Sequence, residues 1–292
     1  MMTVSLESIV NVWWILGFAL WTFFSFYVVR KYEWFHPTDP PEFFPFSARQ
    51  FFVIGAALFF AAAVYFASFL LAHTLTSALR ASPVGGILSS YKDWVALDQI
   101  IGIAVGCGGL TLLVSLLPAD LVAIVTGTSS GIRKWARGFG YGVLFFPLVT
   151  ITCWIVSLVS TVISPGEHPP QLAVDLVAGI VGTSWLFWTM VGFIVFLVPY
   201  VEEMLFRGFL QGFLGGLVHP LLSTLLTAAA FAFFHYSPLQ KASNLEIIVA
   251  LFVFSLLASR LRLKENSVIA SVGMHAGFNA TSMVVFFLQG PS

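Results

Sequence analysis

Residues 193–217 read FIVFLVPYVEEMLFRGFLQGFLGGL, and three charges, Glu202, Glu203 and Arg207, stand inside this otherwise apolar stretch. The flanks are apolar all round, without the polar stripe of a surface helix, which is the pattern of a segment embedded in lipid. At mid-membrane each such charge costs roughly 2.5–3.5 kcal/mol on insertion scales. Together the three oppose insertion by about 8 kcal/mol, so they need partners and a reason to be there. Glu203 and Arg207 are four residues apart, on one helical face, where they can pair. Arginine offers a carboxylate a two-pronged fork that lysine cannot match. Glu202 points about 100° away around the helix and has no partner within it. Pro199 is expected to kink or break the helix just upstream. The plainer alternative for the stretch is a salt-bridge cluster at an interfacial helix end.

The whole chain agrees with a membrane class. Of 292 residues 59% are hydrophobic and 9% charged, with a mean hydropathy of +0.95. Soluble domains carry about 25% charged residues, so a water-soluble globular fold is excluded. Thirteen basic and thirteen acidic residues cancel, which leaves no basic surface for nucleic acid and no like-charge block for a disordered tail. Cys107 and Cys153 both lie in apolar runs and are too few for a disulfide framework or a thiolate zinc site. The 31 Phe and 9 Trp residues suit lipid-facing helices with interfacial aromatic belts.

A span needs about 20 mostly apolar residues. Such runs occur at 9–29, 51–74, 99–117, 139–163 and 177–200, with shorter ones at 203–217, 221–236, 246–259 and 267–288. They are continuous apolar stretches rather than alternating ten-residue segments, which makes them helices and not barrel strands. The first run lacks a basic leading region and a cleavage site and is read as a span, not a signal peptide. Neither end resembles a lipidation signal. Gly102 and Gly106, and Gly208, Gly212 and Gly216, repeat every four residues and are read as helix-packing faces. The fold expected is an all-α, polytopic membrane helix bundle of about eight transmembrane helices with a polar cavity inside.

Residues 30–49 (Arg30, Lys31, Arg49 and four prolines) and residues 119–138 (Arg133, Lys134, Arg137) are basic connecting segments. Both are expected on the cytoplasmic side, with the N-terminus outside. Counting every later run as a crossing would put Arg260, Arg262 and Lys264 outside as well, so one short run is expected to be re-entrant or to break the charge rule. A single membrane domain, 1–292, is expected, and its second half carries nearly all the ionisable residues that stand inside apolar runs.

Two further motifs place polar groups in apolar runs. FAFFH ends at His235, and HAGFN spans His275 and Asn279, four apart and on one helical face. Taken singly, His235 reads as an interfacial residue, and the His275 and Asn279 pair as an interhelical hydrogen bond. The Asn279-Ala280-Thr281 sequon lies within a span and is read as accidental. Taken together, Glu, His, His and Asn from three helices supply what peptide hydrolysis requires. A carboxylate held away from water is a stronger base, an imidazole can position water, and a second imidazole with a carboxamide can donate to a developing oxyanion.

The three motifs, in this order and spacing, resemble those of the CAAX prenyl protease and bacteriocin-processing (Abi) family of intramembrane glutamate proteases, which implies a catalytic core over roughly residues 175–288 and leaves the helices and loops of 1–174 without an assigned role. The resemblance implies Glu202 as general base, His235 as its partner in holding water, and His275 with Asn279 as the oxyanion hole. It implies that Glu203 and Arg207 order the site, Arg207 by bonding the carboxylates. It also implies peptide hydrolysis without an acyl-enzyme, on a peptide or lipid-modified protein such as a prenylated C-terminus, with the site opening toward the cytosol. No cofactor and no metal is expected, and the partners expected are membrane lipid and the substrate, not nucleic acid. The location expected is the plasma membrane, as a multi-pass protein.

Other readings stay open at this point. One Glu and two His are a known zinc ligand set, although the His-Glu-x-x-His spacing is absent. Intramembrane Glu and His also line ion pathways, although no inverted or parallel repeat is present. A non-proteolytic immunity protein could keep the motifs. Ser237 lies near His235 without an accompanying Asp, and the two cysteines sit in surroundings too apolar for a nucleophile.

Overall fold

The computed structural model describes residues 6–31, 34, 46–88, 90–128, 131–163, 169, 172–181 and 183–289. In chain order the helices are α1 (Leu6–Lys31), α2 (Ala48–Ala81), α3 (Tyr91–Ser115), α4 (Ala119–Thr126), α5 (Ile132–Ile163) and α6 (Leu172–Gly179). They continue with α7 (Ser184–Gly192), α8 (Val198–Glu203), α9 (Gln211–Gly215), α10 (Pro220–Phe234), α11 (Ser243–Glu265) and α12 (Val268–Gln289). No strand occurs among the described residues, so the chain is a polytopic helical bundle. Most of the extended loop expected over 30–49 lies outside the described residues.

Local sequence sets several boundaries. Ser47 and Gln50 form a reciprocal capping box at the start of α2, satisfying donors that the first turn leaves free. Pro220 opens α10, where its missing N–H is no loss. Asn266 ends α11 in the left-handed region at φ 44°, a conformation that asparagine tolerates.

Among the described residues, six segments are long and apolar enough to cross a membrane: Ala48–Ala81, Tyr91–Ser115, Ile132–Val162, Trp185–Gly215, Ser243–Glu265 and Val268–Leu288. The 26-residue α1 is also of spanning length, and α10 has 15 residues. The expected count of eight is not confirmed, and the main difference lies at the motif that opened the reading. The runs 177–200 and 203–217 are not separate: Trp185–Gly215 is one continuous segment. Pro199 does not break it, because a π-helical turn at Phe193–Leu197 precedes the proline, with Val198 N–H bonded to the Phe193 carbonyl. The wider turn has already shifted the hydrogen-bond ladder where the proline lacks its donor.

That merger also removes the charge conflict. Arg260 Nε donates to the Trp34 carbonyl at 2.8 Å, and Arg262 Nη2 to the Ile124 carbonyl at 2.9 Å. Lys134 and Arg137 both pair with Glu265, and Lys264 lies 4.9 Å from the Trp34 ring centre. The three basic segments therefore meet at one end of the bundle, as the positive-inside rule requires.

The closest helix contact is α5 against α12. A Cβ at Gly138 or Gly142 would lie 1.9 or 2.0 Å from the carbonyl oxygens of Ala270 and Met274, and one at Gly273 or Gly277 would lie 2.1 or 2.2 Å from those of Trp135 and Phe139. Only glycine permits this backbone approach. The glycines singled out by spacing also pack: Gly102 and Gly106 face Phe69 and Ser68 on α2, and Gly208 and Gly212 face α4. Large apolar side chains such as Phe23, Phe59, Leu70 and Leu158 cover the outside, the surface a bundle presents to lipid.

Candidate active site

Glu202 and Glu203 end α8, and a second π-helical turn, Met204–Leu210, follows them at once. Turns of this kind insert an extra residue and redirect side chains, often at functional sites. The two carboxylates, about 100° apart around the helix, serve different neighbours.

Glu203 faces the packed interior. Neither it nor Arg207 is exposed, and Arg207 Nη1 lies 2.9 Å from Glu203 Oε1. The pairing expected from the four-residue spacing is present. Arg207 also donates from Nη2 to Ser255 Oγ at 2.8 Å, and its guanidinium carbon lies 4.4 Å from the Phe231 ring centre. The positive charge thus has a carboxylate, a hydroxyl and an aromatic face around it. Its hydrogen bonds reach Glu203 but not Glu202, so it engages one carboxylate rather than both.

Glu202 faces the histidines. Its Oε1 is 3.8 Å from His235 Nε2, and its Oε2 is 3.8 Å from His275 Nε2. Both imidazoles are fixed from behind. His235, at the end of α10, has Nδ1 2.8 Å from the Phe231 carbonyl. A carbonyl only accepts, so Nδ1 carries the hydrogen. His275 Nδ1 lies 3.0 Å from Glu203 Oε1, which already accepts from Arg207. In their neutral forms both rings therefore present a lone pair at Nε2 toward Glu202. Three acceptors converge, and such a cluster attracts hydrogen-bond donors. Distances of 3.8 Å exceed a direct hydrogen bond and suit a bridging water.

Asn279 lies one turn beyond His275 on α12, and its Nδ2 donates to the Ile194 carbonyl in the first π turn at 2.8 Å. This contact ties α12 to the helix that carries the carboxylates. Phe254 on α11 packs 4.9 Å from the His275 ring centre. Glu202, Glu203, Arg207, His235 and His275 are thus joined in one network, with Asn279 anchored beside it. Among the described residues, no group of three His, Cys, Asp or Glu side chains is placed to hold a metal ion.

The site borders a cavity of ≈ 110 Å³ lined by Tyr65 and Phe69 from α2, Gln99 and Ile103 from α3, and Val198, Val201 and Glu202. Sequence reasoning did not single out the α2 and α3 residues, nor Ser255. Ser255 and Ser259 are four apart in an apolar run, a polar stripe whose spacing signals an interhelical partner. Tyr65 and Gln99 carry no such pattern.

No curated protein and no solved structure matches the chain. A protein-family model does, over residues 183–281, and it is described as type II CAAX prenyl endopeptidase Rce1-like. That segment contains the five residues of the network, Asn279 and both π turns, while the α2 and α3 residues that line the cavity lie outside it. The chain carries, at residues 183–281, an Rce1-like domain of the CAAX prenyl endopeptidase family.

Proposed function

We propose that the protein is an intramembrane endopeptidase that hydrolyses a peptide bond near the membrane surface with water activated by Glu202. The observation that carries this reading is the Glu202 carboxylate, buried between two Nε2 atoms at 3.8 Å each and bordering a cavity. A water held there donates one hydrogen to Glu202 and the other to His235 Nε2, which turns its lone pair toward a substrate carbonyl. Glu202 takes a proton as the water oxygen bonds to the carbonyl carbon. The tetrahedral oxyanion is met by His275 and Asn279. His275 donates from Nε2 in its protonated form, with Glu203 at its Nδ1 balancing the charge. The C–N bond then breaks as the leaving amine takes the proton from Glu202, the second water proton passes from the new carboxyl group through His235 Nε2 to that amine, and a carboxylate and an ammonium are the products. No covalent enzyme intermediate forms.

The matched family points to CAAX-type prenylated C-termini as substrates. An isoprenoid chain would partition into the bilayer and leave the peptide at the interface. The catalytic core is assigned to 175–288, and the plasma membrane is the proposed location.

Glu202→Gln keeps the shape and removes the base. The expected result is loss of cleavage of a prenylated CAAX-type peptide by purified protein in lipid vesicles. Cleavage at the wild-type rate would sink the mechanism. Retained wild-type activity after exhaustive chelation separates this reading from a zinc enzyme using the same Glu and His residues.

A further inference from the structure

The cavity beside Glu202 is walled in part by α2 and α3, helices that lie outside the matched domain. Its lining is apolar (Phe69, Ile103, Val198, Val201) except for Glu202 itself, Tyr65 and Gln99. Polar groups on an otherwise apolar wall fix orientation in a ligand site, whereas a purely structural wall has no need of them. Among the described residues neither the Tyr65 hydroxyl nor the Gln99 carboxamide has a hydrogen-bond partner. A phenol supplies one donor, and a carboxamide supplies donors and an acceptor, the complement of a peptide group.

Tyr65 is held where it can act repeatedly in one geometry. Its ring meets Phe69 at 5.0 Å, Phe66 at 5.5 Å and Phe234 at 5.5 Å, all edge-on. Phe234 immediately precedes His235, so the phenol is locked to the end of α10 that carries the imidazole. Phe69 is fixed in turn by Gly102, where a Cβ would lie 2.6 Å from its ring. Within the matched domain the donors are partly committed: His275 Nδ1 to Glu203, and Asn279 Nδ2 to the Ile194 carbonyl.

Resting on the proteolytic reading of Glu202, we propose that Tyr65 and Gln99 bind the peptide backbone of the substrate at the scissile bond. Tyr65 donates to the carbonyl oxygen as charge develops on it, and Gln99 pairs with the adjacent peptide group. The N-terminal helices thereby supply half of the substrate site.

Tyr65→Phe retains every ring contact and removes only the hydroxyl, and Gln99→Met retains length and removes the amide. Steady-state kinetics on the prenylated CAAX-type peptide, in vesicles, reads both. Loss of one donor to a developing oxyanion lowers kcat by about 10²-fold, the low end of the range for such donors. The expectation is therefore a fall of that order in kcat for Tyr65→Phe with KM little changed. For Gln99→Met the expectation is a raised KM with kcat retained. Thermal unfolding in detergent stays at the wild-type value for both, because ring and chain packing are kept. Wild-type kcat and KM in both variants would overturn the proposal, as would equal losses of activity and thermal stability. If Glu202→Gln is inactive while both variants are normal, the cavity assignment alone fails. If Glu202→Gln is active, the proteolytic reading fails first.

Discussion

Arg207 and Glu203 form an ion pair of 2.9 Å in which neither side chain is exposed. Such a pair is weak evidence of stability, because taking both charges out of water costs about as much as their attraction returns. Removing one partner is different, since it strands the other charge. The pair also sets a direction: Arg207 holds Glu203, Glu203 holds His275 Nδ1, and His275 turns its other nitrogen toward Glu202.

Arg207→Ala therefore leaves the buried Glu203 carboxylate with His275 Nδ1 but without its arginine counter-charge, a loss of about 3–5 kcal/mol. The folded yield from membranes, read by size-exclusion profile in detergent, is expected to fall along with activity. Arg207→Lys is expected to rescue the fold only in part. A single ammonium cannot occupy both the Glu203 and Ser255 positions that the guanidinium spans. Normal yield and normal unfolding temperature for Arg207→Ala would remove the structural role.

The α5–α12 contact makes a prediction about the site from outside it. At Gly142 an added Cβ would lie 2.0 Å from the Met274 carbonyl oxygen, next in sequence to His275. Backbone cannot yield as a side-chain tip can, so the helices must part. Overpacking of this kind costs about 1–3 kcal/mol, and a shift of about 1 Å in a catalytic group can cost 10²-fold in rate. Gly142→Ala is expected to lower both unfolding temperature and kcat. Gly140→Ala, on the same helix with nothing within 4 Å, is expected to leave both unchanged. Equal behaviour of the two variants would show that the close approach does not position His275.

Much of this was legible in the residues themselves. Lone charges inside apolar runs marked Glu202, Glu203 and Arg207, and four-residue spacings paired Glu203 with Arg207 and put His275 and Asn279 on one face. Those signals are local and survive as pattern. The π turns do not. A run split by charges and a proline reads as two helices, because the extra residue that keeps the ladder continuous past Pro199 has no composition of its own. The helices α2 and α3 were legible as spans but not as walls of the site, since Tyr65 and Gln99 gain their meaning only from what faces them. The glycines at 138, 142, 273 and 277 also show four-residue spacing. What spacing alone does not convey is that each pair meets the other's backbone.

The orientation of the bundle gives the last prediction. Nine of the thirteen Lys and Arg residues fall in the segments 30–49, 133–137 and 260–264, which meet at Trp34, Ile124 and Glu265. At the other end stand Arg80, Lys92 and Lys241. Under the positive-inside rule the first end is cytoplasmic. The 15 residues of α10 reach only about 22 Å at 1.5 Å per residue, less than the ~30 Å of hydrocarbon. The loop after α10 still has to reach the far side for the 23-residue α11 to return to the basic end. Leu239, 70% exposed in that loop, reports on this directly. With Cys107 and Cys153 replaced by serine, Arg80→Cys and Leu239→Cys are expected to react with a membrane-impermeant maleimide in intact cells. Arg133→Cys is expected to react only in inverted vesicles. Labelling of Leu239→Cys from the same side as Arg133→Cys would make α10 a re-entrant hairpin and would reverse α11 and α12.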